Sequence, residues 1–135
     1  MDPVVHFEMP AEDKKRVSDF YSGAFGWQMQ QLGPEMGEYI LATTAPTDQP
    51  GTPPKQPGTI NGGFYQKSKD NQHPHVVISV KDIRESMKKV EAAGGTIVGG
   101  QNPGEPDEIP GIGTYISFKD TEGNVVGMLQ PAPMQ

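Results

Sequence analysis

Cysteine is absent from the 135 residues, which removes disulfides, thiolate metal sites and cysteine nucleophiles together. Long apolar runs are missing too. No stretch approaches the ~20 residues that cross a bilayer, and the N-terminal segment lacks the basic-then-apolar order of a secretory leader. Positive charge is scarce: 11 Lys and Arg stand against 17 Asp and Glu, a net charge of −6. Nucleic acids and anionic membranes both need a cationic face, so the expected partner is a small molecule or another protein, and the expected location is cytoplasmic. Glycine and proline are abundant, at 17 and 14 residues. Spread evenly they would suggest disorder. Instead they concentrate at 43–58 and 99–113, which reads as two long loops on an ordered scaffold.

That scaffold is duplicated. His6, Asp13 and Gly26 recur as His75, Asp82 and Gly95, all displaced by 69 positions. Each trio marks a short apolar strand with histidine near its start, an acidic turn, an amphipathic helix and a glycine stop. Repetition of this kind constrains architecture before any one residue is interpreted. In the first copy Val5, Phe7 and Met9 share one strand face while His6 and Glu8 share the other. Glu12 and Asp13 lie where negative charge favours a helix N-terminus, and Val17, Phe20, Tyr21 and Ala24 form the stripe expected to cover the strand. Strands are expected around 27–32, 39–42 and 60–65, with Gly62 and Gly63 marking a bulge or a close approach to the backbone.

In the second copy a β-branched run at 75–80 leads to Asp82, with Glu85 three residues on as in a capping box. Ile83, Met87 and Val90 form its buried stripe. Strands follow at 96–98 and 114–118, and a turn from Asp120 to Asn124 opens a hairpin into 125–129. The pattern is β-α-β-β-β, twice: module 1 over 3–66 and module 2 over 73–131, within one α+β domain spanning 1–135.

These features resemble the vicinal oxygen chelate superfamily, which holds glyoxalase I, extradiol dioxygenases, and bleomycin and fosfomycin resistance proteins. The markers are the opening run through His6, Phe20 with Tyr21, Phe25 to Trp27, His75, and the closing Phe118, Asp120, Gly123 and Asn124. The stretches 109–113 and 123–127 are most similar to small bacterial proteins related to lactoylglutathione lyase. The resemblance implies a cupped mixed sheet of eight strands, helices outside, a central cavity, and a homodimer. In metal-using members it also implies a divalent ion held by four side chains from the first and last strands of each module. His6 and His75 match the two histidine positions, whereas Gly62 and Gly127 align with the other two and offer no side-chain ligand.

A metal site of this type needs three or four protein ligands plus open positions. Glu8, on the strand face of His6, is the candidate for a displaced ligand or general base, and Gln130 fits only if the register shifts. Two readings stay open for His6 and His75. They are ligands for Zn, Ni, Mn or Fe, or they line a metal-free pocket, since neutral imidazole offers one donor and one acceptor. Tyr115 either points inward as a substrate contact or packs under a helix. His73 reads as exposed, and Trp27, Phe20, Tyr21 and Phe25 as core. The preferred reading is a binding protein whose substrate-contacting residues are His6, Glu8, His75, Gly62, Tyr115 and Gly127. The alternative is a divalent-metal lyase, isomerase or dioxygenase acting on a vicinal-oxygen substrate.

Overall fold

The computed structural model describes residues 1–69, 71–99 and 102–133. Two compact units emerge: Val5–Pro74, and Met1–Val4 together with His75–Gln135. The first has the expected βαβββ order, the second adds one strand to it, and the α+β class holds.

The first unit contains β1 (Val4–Ala11), α1 (Lys14–Phe25), β2 (Gln28–Gln31), a single 3-10 turn at Pro34–Met36, β3 (Ile40–Thr43) and β4 (Asn61–Gln66). β1 runs parallel to β4, pairing His6 with Asn61 and Glu8 with Gly63. β4 is antiparallel to β3, and β3 to β2. Helix α1 starts where Asp13 accepts a hydrogen bond from the Arg16 N–H at 2.9 Å. It stops at Gly26, whose φ of 72° is cheap only for glycine. One sheet face buries Ala11, Ile40, Ala42 and Phe64, with Phe7, Val17, Tyr21 and Trp27 packed on them. The Tyr21 and Trp27 rings stack with centroids 4.6 Å apart.

Part of the expected helical stripe is displaced. Phe20 and Phe25 are 57% and 65% exposed, and Ala24 is exposed too. The inward face of α1 runs through Val17 and Tyr21, and Phe20 lies ~100° around the helix from Tyr21.

The second unit contains β5 (His75–Ser79), α2 (Ile83–Ala92), β6 (Thr96–Ile97), β7 (Asp107–Ile109), β8 (Gly113–Lys119) and β9 (Val125–Pro131). Its pairing repeats the first: β5 parallel to β9, β9 antiparallel to β8, β8 antiparallel to β6. The departure is β7, which pairs with β8 inside the stretch expected to be a plain loop. Its residues Asp107 and Glu108 carry no apolar alternation to announce a strand. Asp82 caps α2 by accepting from the Glu85 N–H at 3.1 Å. Gln130 also serves this end, its side-chain oxygen accepting from the Ile83 N–H at 2.9 Å. The core holds Val80, Ile83, Ile116 and Met128, with Met87, Val90 and Phe118 against them.

Between β8 and β9, Asp120 organises the turn. Its carboxylate accepts from the Glu122 N–H at 2.8 Å, the Asn124 N–H at 2.9 Å and the Asn124 side-chain amide at 2.9 Å. The Asn124 side chain first, then the backbone donors, hold the carboxyl below its ordinary value of 3.8. A lowered folded value contributes stability that is present above the unfolded value and lost as pH falls through the folded one. Asp120→Ala is therefore expected to lower the melting temperature at neutral pH, and the gap from wild type to close in acid. Thermal unfolding followed by circular dichroism across that range checks it.

Candidate functional site

The strand face opposite each core carries the polar residues, and both units build it the same way. On β1, alternation sends Phe7 and Met9 to the core and leaves His6 and Glu8 on the other face. Tyr39 enters that face just before β3. A tight turn places it: Gly37 and Glu38 have φ of 65° and 55°, and the Leu32 N–H donates to the Tyr39 carbonyl at 2.7 Å. Glu38 is a non-glycine residue in the left-handed region, which is unfavourable on its own. Lys14 steadies it, donating to the carbonyls of Glu38 at 2.7 Å and Gly37 at 3.3 Å. The Tyr39 hydroxyl then meets His6 Nε2 at 3.1 Å.

Tyr39 can lie there because β4 has glycine beneath it. A Cβ on Gly63 would collide with the Tyr39 ring and hydroxyl. Gly62 faces the other way, where a Cβ would come within 2.5 Å of the Phe7 ring. The glycine on the histidine face is thus Gly63, one residue beyond the position expected from alignment, and Gly62 belongs to the core side.

The second unit repeats the arrangement. Tyr115 lies over Gly127, where an added Cβ would sit 2.5 Å from its hydroxyl. That hydroxyl stands 3.5 Å from His75 Nε2, at the outer limit of a hydrogen bond. Tyr115 pairs with Leu129 and lies over the glycine two residues earlier. In the first unit Ile40 pairs with Phe64, which puts Tyr39 level with Tyr65 and again over the glycine two residues earlier. Tyr115 thus lies on the histidine-bearing face of β8, and Phe118 packs on the core that includes Ile83 of α2. Tyr39 was missed in the sequence, although its parity with Leu41 placed it on this face.

Further groups surround the first site. Tyr65 donates its hydroxyl to the carbonyl of His73 at 2.7 Å, and its phenol is pushed up to about 12 by burial first and the charge of Glu8 second. His73 itself is exposed, as expected. Asn61 starts β4, its Oδ1 accepting from the N–H groups of Thr44 at 2.7 Å and Ala45 at 3.0 Å.

The four-ligand site implied by the resemblance would need a ligating side chain where each last strand has glycine. Tyrosine rings fill that space instead. Among the described residues no group of three or more His, Cys, Asp or Glu side chains is placed to hold a metal ion. The donor set does not fit that site.

A model of the Glyoxalase/Bleomycin resistance protein/Dioxygenase superfamily matches residues 4–128. The chain belongs to this superfamily. Over 63 residues it is 35% identical to proteins named "Putative glyoxylase CFP32" in Mycobacterium bovis and Mycobacterium tuberculosis. That alignment takes in 47% of this chain and 22% of each relative, so about a fifth of their length is matched. Solved structures agree over nearly the whole chain. A hypothetical protein, BH1468, from Bacillus halodurans superimposes with a TM-score of 0.67 at 13% identity, covering 99% of this chain and 97% of that one. A methylmalonyl-CoA epimerase in complex with methylmalonyl-CoA and NH4+ gives 0.67 at 11% identity, covering 100% and 98%. The epimerase of Mycobacterium tuberculosis gives 0.62 at 13%, covering 96% and 88%. These likenesses show the glyoxalase-like fold.

Two outcomes follow from this geometry. Gly63→Ala is expected to push Tyr39 off His6 and shift the His6 ring resonances as Tyr39→Phe does. Gly62→Ala should leave those resonances near wild type and cost about 1–3 kcal/mol by overpacking against Phe7. Histidine ring spectra and urea unfolding of the three variants decide.

The second concerns alkaline pH. A phenol raised in the folded state contributes stability that is whole below its unfolded value of 10.0 and lost as pH rises through about 12. Tyr65→Phe is expected to flatten this alkaline loss. Glu8→Gln should bring the phenol only part of the way down, because burial is the larger cause. Phenolate absorbance titration measures both.

Proposed function

We propose that this superfamily member binds a small, uncharged, hydrogen-bonding molecule on its histidine-bearing sheet faces, without a complete protein-held metal site. The observation that carries this reading is the repeated contact in which a tyrosine on, or just before, the strand preceding the last lies on a last-strand glycine and meets the first-strand histidine. Imidazole and phenol together present hydrogen-bond donors and acceptors, suited to a carbonyl, amide or phenol.

The distribution of cations narrows the class. All 11 Lys and Arg lie on the helices, in loops, or at the exposed end of β8, where Lys119 stands. The first face carries Glu8 instead. An anion such as a coenzyme A thioester would meet no cationic partner along these strands, which sets this chain's ligand apart from that named in the epimerase structures. The reading takes the protein as one cytoplasmic domain acting as a homodimer, with His6, Glu8, Tyr39, His75 and Tyr115 as contact residues and Gly127 as the floor beneath Tyr115.

A lyase, isomerase or dioxygenase using a divalent ion is the second reading. Glu8 favours it, because a carboxylate two residues from His6 and on its face is a donor that Zn, Ni, Mn or Fe accepts.

Metal analysis and a thermal-shift screen separate the two. Uncharged aromatic carbonyl compounds at saturation are expected to raise the melting temperature by several degrees, and acetyl-CoA to leave it unchanged. Tyr39→Phe and Tyr115→Phe should each weaken binding by about tenfold, the worth of one hydrogen bond. Stoichiometric metal lost in both His6→Ala and His75→Ala would overturn the proposal.

A further inference from the structure

Asn61 is the one polar residue in the buried set of the described residues, at 7% exposed. Its amide is oriented without ambiguity. Two backbone N–H groups, from Thr44 and Ala45, point at Oδ1, and the flipped amide would set its own amino group against them. The other end is therefore Nδ2. Among the described residues that atom has no hydrogen-bond partner, and less than 1 Å² of it is exposed. A buried amino group without an acceptor is destabilising, and native chains keep very few.

Its place in the fold suggests a use. Asn61 pairs in register with His6, and alternation puts it on the strand face of Gly63. Its Oδ1 also pins the start of the long loop at 44–60, whose base is closed by the Thr44 hydroxyl donating to the Ile60 carbonyl at 2.7 Å. The loop folds back onto the sheet. A Cβ on Gly51 would stand 3.6 Å from Leu41 Cδ1, and Leu41 pairs with Gly63, so the loop lies on the histidine-bearing side. One amide thus has its oxygen on the loop and its amino group on no acceptor, beside the face proposed to bind ligand.

We propose that Asn61 is a ligand-binding residue: Nδ2 takes the carbonyl oxygen of an uncharged small molecule, while Oδ1 holds residues 44–60 over the same face. This deepens the function proposed above and rests on it. A neutral carbonyl is the acceptor favoured, because Glu8 shares the face and repels an anion. Since Nδ2 is sealed, binding requires the loop hinged on this same side chain to move and reclose.

The test uses the 15N-labelled full chain with benzamide and benzoate, near-isosteres that differ in charge. Asn61→Asp identifies the side-chain amide resonance; it retains an acceptor for Thr44 and Ala45 and loses the donor. Benzamide is expected to shift the Asn61 amide signals and the Thr44 and Ala45 N–H signals, and to slow hydrogen exchange across 44–60. Benzoate at equal concentration should not. Asn61→Asp should bind benzamide at least about tenfold more weakly; if that variant fails to fold, the wild-type shifts decide. Should benzamide move the His6 and Tyr39 signals while leaving the Asn61 amide unmoved, or should that amide prove bonded to a buried water that benzamide does not displace, this inference falls and the proposed function stands. If benzamide moves none of them, both fall.

Discussion

Parallel pairing of the first strand with the last, within each module, is the constraint on which the sites depend. It sets Glu8 against Gly63 and Val77 against Gly127, so glycine lies level with the strand position two residues beyond each histidine. The strand before the last, antiparallel to it, delivers a tyrosine over that glycine. A methyl group there would collide with the phenol ring. The hydrogen bonds between hydroxyl and imidazole are the end result of a backbone register and two missing side chains.

The same register divides the chemistry between faces. Apolar residues go toward the helices and supply the packing that holds each module together. Charges collect on the outer helix surfaces and in loops, and exposed pairs such as Lys15 with Asp19 contribute little to stability. The histidine-bearing faces carry imidazole and phenol groups with the carboxylates of Glu8 in the first unit and, opposite Tyr115, Asp107 in the second, which leaves them suited to directional recognition and poor in attraction for anions.

Much of this was legible in the residues. The recurrence of His6, Asp13 and Gly26 at one displacement carried the duplicated topology, because helix caps and strand starts depend on local chemistry. His6, Glu8 and His75 could be placed by alternation alone. Three things were hidden. Choosing Gly63 over Gly62 required the strand pairing, since two adjacent glycines carry no parity of their own. Tyr39 lay behind a left-handed turn at Glu38 that no propensity announces. Strand β7 is acidic and holds its place by pairing with β8, which no local pattern reports. The outward turn of Phe20 is a further case: a helical stripe specifies a face to within about one residue, and here the sheet took the edge through Tyr21.

One small feature ties the helix layer to the phenol. The first residue of α1, Lys14, reaches across to the two carbonyls that precede Tyr39, like a hand on the end of a lever. By satisfying both carbonyls of the left-handed turn, this lysine favours the backbone shape from which the phenol sets out, so a helix residue with no contact to the imidazole helps decide where its partner arrives.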